Sequence, residues 1–357
     1  MKKLTLALQL QSRSATMADL PTISVILPVH NGERWIDGCL ASLLAQTILA
    51  DGAARLELSA YDDGSSDGTW PSLQRWAPRL EAAGVRAVLG RSGAATGGGC
   101  GFAKNRAVAQ SSGEWLCFQD VDDEMMPGRI AAQLAAARER PAALVGARVR
   151  REPEGSTARY AEWANTISAA QLVLHRFREC TLLMPTWFMA RAVFEAGGGF
   201  REEKCEDLLF LLAHAGRGGA LHRVDGEPLV LYRWHADAAT HSIPRAVVHR
   251  HRVAAIEAQV LAHWPRFTIW GAGRDGRAFF KALAPETRAR VAAFADVDPK
   301  KVGTDYQYFE HRVPVVHFSA AAPPFVLCVA LDRTAGAFEA NLASLKLTEG
   351  TDYFHFC

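Results

Sequence analysis

Gly113-Glu114-Trp115-Leu116-Cys117-Phe118-Gln119-Asp120-Val121-Asp122-Asp123 joins an apolar run to three carboxylates within four positions. Trp115 to Phe118 reads as a buried strand, and Glu124-Met125-Met126-Pro127 leads away from its end. Open α/β sheets bind ligands in the crevice beyond the carboxyl ends of their strands. Carboxylates crowded there repel one another and resist desolvation unless a cation lies among them. Oxygen ligands of this kind suit Mg2+ or Mn2+, which keep part of their shell for phosphate oxygens. Asp is equally at home as an N-cap, with Pro127 in the first turn of the following helix. The residues alone allow either a metal holding a nucleotide diphosphate or a capped polar turn.

Toward the N-terminus, Ile23 to His30 forms a β-branched strand that stops at the turn signal Asn31-Gly32. Trp35 to Gln46 carries Ile36, Leu40, Leu43 and Leu44 at helical spacing. Leu56 to Tyr61 is a second strand, again ending in acids, Asp62-Asp63-Gly64-Ser65. Strand, helix and strand at this spacing predict a βαβ unit with parallel strands and a right-handed crossover. The Asp62-Asp63 pair precedes small turn formers, so it either meets a ribose or base edge or forms an Asx-turn. Val85 to Leu89 is a third strand, and the glycine-dense stretch Gly93 to Gly101 opens a helix at Lys104-Asn105-Arg106. Such a loop is either an exposed connection or a cradle for phosphate.

Beyond the central run, an alanine-rich helix extends to about Arg140 and Ala143 to Arg150 reads as another strand. Glu206 and Asp207 sit just before the apolar helical face Leu208 to Leu212. They either complement the helix dipole or supply a general base. Leu229 to His235 is a last strand, whose His235 is either a metal ligand or a surface histidine.

At 357 residues with 49% hydrophobic and 22% charged, the chain can build sizeable cores in two domains. Its 40 basic and 38 acidic residues nearly cancel, so local patches such as Arg148-Val149-Arg150-Arg151 and His249-Arg250-His251-Arg252 matter more than the total. Seven scattered cysteines without a Cys-x-x-Cys pair point away from a disulfide framework or zinc site and toward a reducing, cytoplasmic compartment. No apolar run approaches the length that crosses a bilayer. The start, Met1-Lys2-Lys3 and then Leu4 to Leu10, imitates a targeting segment, but its apolar run is short and broken by Gln9. Residues 1–21 are therefore expected to be a dispensable, flexible extension, and the binding domain to span 22–245.

After a linker over 246–265, with a helix from Ala246 to Leu261, a second α/β unit begins at Phe267 and occupies 266–357. Gly271-Ala272-Gly273-Arg274-Asp275-Gly276 follows the strand Phe267 to Trp270, and Asp296 ends the next strand twenty residues past Gly276. That is the context of a dinucleotide fingerprint. Further strands are expected at Val313 to Val316 and Phe325 to Ala330. About ninety residues remain, too few for both halves of a dinucleotide fold. A smaller Rossmann-like module for packing or acceptor recognition is expected instead of NAD binding.

Taken in order, Asn31, Asp62-Asp63-Gly64-Ser65, Lys104-Asn105, Asp120-Val121-Asp122-Asp123, Glu206-Asp207 and Tyr232-Arg233-Trp234-His235 resemble family 2 glycosyltransferases. The resemblance implies the GT-A fold, a Rossmann-like nucleotide-diphospho-sugar transferase architecture, and inverting transfer from a UDP-sugar. It further implies nucleotide-sugar contacts by Pro28, His30, Asn31, Asp62, Asp63, Lys104, Asp120 and Asp122. Asp63 would read the uracil, with Lys104 nearby. Asp122, Asp123 and His235 would hold Mn2+ or Mg2+, and Asp207, beside Glu206, would take the acceptor proton. Lys104 departs from the arginine common in the family, so a point charge replaces a bidentate grip.

Gly101 to Asn105, Met184 to Phe188, Phe267 to Trp270 and Pro323 to Val329 narrow the likeness. They are similar to the family long labelled β-1,3-N-acetylglucosaminyltransferase-like and now understood as queuosine-tRNA galactosyltransferases. That likeness implies UDP-galactose as donor and tRNA as acceptor, and the older label implies a glycan or protein acceptor instead.

Overall fold

The computed structural model describes residues 20–94, 97–331 and 334–357. The extension expected over 1–21 lies outside them, except Leu20 and Pro21. Thr22–Val29 (β1) leads to Glu33–Leu44 (α1) and Thr47–Ala50 (α2), then Arg55–Asp62 (β2), Thr69–Ala82 (α3) and Val85–Arg91 (β3). Cys100–Gln110 (α4) precedes Trp115–Phe118 (β4), Glu124–Met125 (β5), Arg129–Glu139 (α5), Ala143–Ala147 (β6) and Val149–Glu152 (β7). Next come Ala158–Thr166 (α6), Ala169–Leu174 (α7), Phe188–Ala190 (β8), Arg191–Ala196 (α8), Glu206–Gly216 (α9), Ala220–Val224 (β9) and Val230–Arg233 (β10). Arg245–Gln259 (α10), Phe267–Trp270 (β11), Arg274–Ala282 (α11), Pro285–Arg288 (α12) and Val291–Asp296 (β12) follow. Asp305–Tyr308 (β13), His311–His317 (β14), Phe325–Leu327 (β15), Ala337–Ser344 (α13) and Tyr353–His355 (β16) complete the chain.

Two compact units interleave along this order, rather than meeting at one cut in the expected 246–265 linker. The first holds the residues up to Arg150, Pro185–Ala196 and Val224–Arg233, and the second holds the remainder. In the first, six strands lie in the order β3-β2-β1-β4-β8-β6. β1, β2, β3 and β4 are parallel, as the βαβ pattern requires, and β8 returns antiparallel to β4. β1 continues on one side to β2 and on the other faces β4, so the strand order reverses at β1 and opens a crevice at its carboxyl end. Val29 pairs with Asp62 and Ile26 with Phe118, which brings the His30-Asn31 loop and the two acidic loops to one edge. Ile36, Leu40 and Leu43 of α1 are buried with Val25, Leu27, Leu58 and Leu73, and this apolar core fixes the edge from below.

Most strands lie within two residues of the limits expected from the sequence, and three others end or break early. The strand expected from Ala143 to Arg150 breaks at Arg148, whose guanidinium donates to the Gly226 carbonyl, and β7 leaves the sheet of β6. The last strand stops at Arg233 because its amide is taken by the Asp123 carboxylate. The strand begun at Phe325 ends at Leu327, not Ala330.

In the second unit a six-stranded sheet runs β13-β14-β12-β11-β15-β16. β13 and β16 escaped the sequence reading because each is short and β13 is only half-buried. Phe177, Phe267, Phe279, Phe280, Phe294 and Phe356 fill the core under this sheet. A Cβ at Gly276 would stand 1.9 Å from the Gly271 carbonyl oxygen, so only glycine lets α11 start against the end of β11. All seven cysteines are free thiols. Among the described residues no helix is long and apolar enough to cross a membrane.

Candidate active site

At the end of β4 one carboxylate oxygen from each of Asp120, Asp122 and Asp123 lies within 4.8 Å of the others. Asp123 is buried, while Asp120 and Asp122 are half-buried and face the edge. Their combined charge is felt nearby: the Cys39 thiol is pushed far up, first by burial and then by Asp123, Asp122, Asp120 and Glu124. A partly buried acceptor-only cluster of this kind suits a hard divalent cation. The three oxygens fit the cation that the sequence implied.

A hidden polar scaffold holds the loop. The Gln119 amide donates to the carbonyls of Asp120 and Asp123, both at 2.8 Å. Its Oε1 accepts from Arg129 Nη1 at 2.6 Å, and Arg129 also donates to the Phe118 carbonyl and Gln133 Oε1. Gln133 in turn donates to the Thr186 carbonyl at 2.6 Å. Arg129 is fully buried without a carboxylate partner in this set, so polar oxygens alone satisfy its charge. On the other flank the Arg233 amide donates to Asp123 Oδ1 at 2.8 Å, and its guanidinium reaches the Asp122 carbonyl and Glu124 Oε1. The same guanidinium lies 5.3 Å from the centre of the Trp35 ring. Arg233 enters the sequence reading only as part of the motif Tyr232 to His235, without a role of its own, and Gln119, Arg129 and Gln133 do not enter it as site residues. A charged residue and two amides inside an otherwise apolar helix and strand were the available signal.

The two loops beside this cluster are laced together. Asn31 takes the left-handed conformation (φ 51°), accepts from the Ser66 amide, and gives its own amide to Ser65 Oγ. His30 Nδ1 lies 2.9 Å from the Asp63 carbonyl. Pro28, half-buried, pairs with Tyr61 along the adjacent strand. Asp62 has no exposed surface; its Oδ1 accepts from the Ser65 amide and its Oδ2 lies 3.0 Å from Arg91 Nε. The Asx-turn alternative therefore describes Asp62. Asp63 accepts from the amides of Gly98 and Gly99 at 2.9 and 2.8 Å, so its carboxylate fastens the glycine loop. Carboxylate oxygens have further lone pairs, and a ligand donor can still be accepted. Lys104 is 4% exposed in the first half of α4.

Glu206 and Asp207 open α9, as expected, but belong to the second unit rather than grouping with the rest of the domain expected over 22–245; Glu206 is buried and Asp207 half-buried. Asp207 Oδ1 accepts from the Leu208 amide at 2.7 Å. His235 is half-buried and also belongs to the second unit. Of the basic patches, Arg252 turns inward and donates to the Phe177 and Phe356 carbonyls, which removes it from a solvated face.

A cavity of about 540 Å³ in the second unit lies elsewhere, at the strand-order reversal around β11. Gly271, Arg274, Asp296, Lys301 and Asn341 are among its lining residues. Asp296 accepts from the amides of Ala272, Val297 and Asp298 and from Lys301 Nζ. The carboxylate that a dinucleotide fingerprint reserves for a ribose is thus occupied within the protein. This favours the acid cluster over the glycine-rich loop as the site of chemistry.

Residues 24–197 match the family model Glycosyl transferase family 2. A poly(ribitol-phosphate) β-glucosyltransferase of Bacillus spizizenii is 33% identical over 101 residues, 28% of this chain and 15% of that one. The UDP-Glc:α-D-GlcNAc-diphosphoundecaprenol β-1,3-glucosyltransferase WfgD of Escherichia coli is 31% identical over 114 residues, 32% of this chain and 40% of that one. The matched region thus spans less than half the length of these curated relatives. Among solved structures, S. aureus TarS 1-349 in complex with UDP-GlcNAc aligns with a TM-score of 0.54 at 18% identity. That alignment covers 74% of this chain and 70% of TarS 1-349.

Proposed function

We propose that the chain moves a sugar from a UDP-sugar to an acceptor hydroxyl by one inverting displacement, a reading supported by the family 2 glycosyltransferase match over residues 24–197 and by the GT-A-like α/β fold. The carrying observation is the convergence of Asp120, Asp122 and Asp123 at the end of β4. Asp122 and Asp123 would hold Mn2+ or Mg2+, with His235 as a further ligand and Asp120 toward the ribose. When bound, the cation stabilises the negative charge that develops on the diphosphate. Pro28, His30, Asn31, Asp63 and Lys104 are assigned to the nucleotide, above the turn built by Asp62.

In the transfer, the acceptor oxygen bonds to the anomeric carbon while the bond from that carbon to the UDP oxygen breaks. The acceptor proton passes to the Asp207 carboxylate, beside Glu206 at the start of α9. A positioned base of this kind contributes on the order of 10²–10⁴-fold. An α-linked donor then gives a β-glycoside.

The donor proposed is UDP-galactose and the acceptor a hydroxyl of queuosine in tRNA, in the cytoplasm. The likeness of Gly101–Asn105, Met184–Phe188 and Pro323–Val329 to that family supports this reading, and seven free thiols support the compartment. The second reading is a UDP-GlcNAc-dependent β-1,3-N-acetylglucosaminyltransferase on a glycan or protein; the polysaccharide acceptors in the relatives' names support a glycan. Incubation with bulk tRNA, a glycan panel and labelled nucleotide sugars, followed by mass analysis, separates them. Galactose on queuosine is expected; label on glycan alone overturns the tRNA reading, and no label with any acceptor overturns transfer itself. Asp207→Asn should abolish transfer while metal-dependent UDP binding stays within about twofold.

A further inference from the structure

A second convergence of metal-binding groups lies within the second unit and takes no part in the proposed transfer. His175 begins a 3-10 turn, His175–Phe177, directly after α7. Glu349 lies in the turn after α13, and His355 ends β16, paired with Leu327 of β15. His175 and His355 are 3% and 4% exposed. His175 Nε2 lies 3.0 Å from Glu349 Oε1, His355 Nε2 lies 3.9 Å from the same oxygen, and one ligand atom from each residue falls within 4.8 Å of the others. Despite these distances, both ring nitrogens of His175, Nδ1 of His355 and Oε1 of Glu349 lack a hydrogen-bond partner. Buried polar atoms are rarely left this way, because each forfeits its hydration without replacement.

We propose that His175, Glu349 and His355 form a binding site for a divalent transition cation of the zinc class. Two imidazoles and one carboxylate are a donor set for zinc or a neighbouring transition metal, whereas magnesium and calcium favour all-oxygen sites. The protonation states agree with ligation. Burial holds His355 down to about 4, against the pull of Glu349 and together with His175 and Arg178, so its imidazole is neutral near neutrality. Burial acts to raise the Glu349 carboxyl, but the His175 contact and the Arg178 guanidinium outweigh it and hold the group below its usual range. Neutral imidazole and ionised carboxylate are the ligating forms.

The surroundings orient the rings. The Trp163 ring is parallel to His175, 2° between planes and 6.4 Å between centres, and His355 stands edge-on to His175 at 5.2 Å. Arg178, 4.9 Å above the Trp163 ring, already offsets part of the Glu349 charge, so an incoming cation competes with it. Glu339 adds negative charge on the other side of the balance. A bound ion would tie the turn after α7 to the C-terminal strand, segments far apart in the chain, and leave a fourth position for water.

Full-length protein, freed of metal by dialysis against a chelator, is titrated with Co2+ and Zn2+ and read by absorption, metal analysis and thermal melting. About one equivalent of tetrahedral Co2+, without a thiolate charge-transfer band and counted apart from the weakly absorbing Co2+ that the all-oxygen acid cluster would take, is expected and is displaced by Zn2+. Zn2+ should raise the melting midpoint, and His355→Gln or Glu349→Gln should weaken binding by at least roughly tenfold. Asp123→Asn should leave this binding unchanged. No binding of Zn2+ at micromolar concentration, a thiolate band, or undiminished binding in His175→Ala/His355→Ala overturns the site. If the variants do not fold, the wild-type Co2+ spectrum and stoichiometry decide alone. UDP-dependent transfer is measured in parallel, so failure of this site is distinguishable from failure of the proposed function.

Discussion

Replacing Arg129 with methionine probes the scaffold beneath the acid cluster. Met fills a similar volume but removes three donations, to Gln119 Oε1 at 2.6 Å, the Phe118 carbonyl at 2.7 Å and Gln133 Oε1 at 2.9 Å. Each buried acceptor left without its charged donor costs roughly 1–3 kcal/mol. Against that, the desolvation of a fully buried guanidinium, several kcal/mol, is no longer incurred. The expected net loss is about 3–5 kcal/mol, a large share of the roughly 5–15 kcal/mol that holds a typical domain together. The functional effect runs through Gln119, whose amide grips the Asp120 and Asp123 carbonyls. Once its Oε1 is released, Mn2+ affinity should fall about 10–100-fold, as when other groups that orient ligands are lost. Urea unfolding measures the first effect, and calorimetric Mn2+ titration of protein kept folded in the cold measures the second. Arg129→Lys should recover only a minor part of either, since a single ammonium cannot reach three separated acceptors. A variant within about 0.5 kcal/mol of the parent, or one that binds Mn2+ equally well while folded, refutes the reasoning.

Chelation of divalent metal, or Asp123→Asn, should reduce UDP-sugar turnover by at least about 100-fold while the far-UV spectrum stays constant, measured by UDP release. At the opposite end of the sheet, Glu57 is 1% exposed; burial acts to raise its carboxyl, but the Ser112 amide, the Ser24 hydroxyl and Arg86 hold it below the usual 4.5. The depressed folded value means this stabilisation is present above the unfolded pKa and lost as pH falls through the folded one. Unfolding followed from about pH 7 to pH 3 should therefore show a smaller acid loss in Glu57→Gln than in the parent, together with lower stability at neutrality. Gly276→Ala forces a Cβ to within 1.9 Å of the Gly271 carbonyl oxygen and should cost about 1–3 kcal/mol or more, read as a lowered melting midpoint.

Much of the first unit was legible because its signals are local. The β1, β2 and β4 runs are apolar and β-branched or aromatic, each stops at Asn, Asp or Gly, and the helix between β1 and β2 carries Ile36, Leu40 and Leu43 at matching intervals. Those regularities predict parallel strands with acids at one edge, and the register of Val29 with Asp62 agrees. Less legible were the breaks at Arg148 and Arg233, where a long-range hydrogen bond overrides a strand-forming sequence. The same limit hid the Gln119, Arg129 and Gln133 network, whose members read singly as ordinary polar residues.

What the sequence determined by itself is the kind of chemistry: acids at strand ends, glycines where backbone crowds, and an acidic helix start are fixed by residue type and neighbour spacing. What only the tertiary structure decided is which of those groups meet. It spent Asp62 on a turn, gave Asp63 to the glycine loop and Asp296 to its own backbone, and gathered His175, Glu349 and His355 from distant segments. The reason is physical: a side chain's intrinsic donors and acceptors are set by covalent structure, but their partners are chosen by burial, which must satisfy every polar group it removes from water.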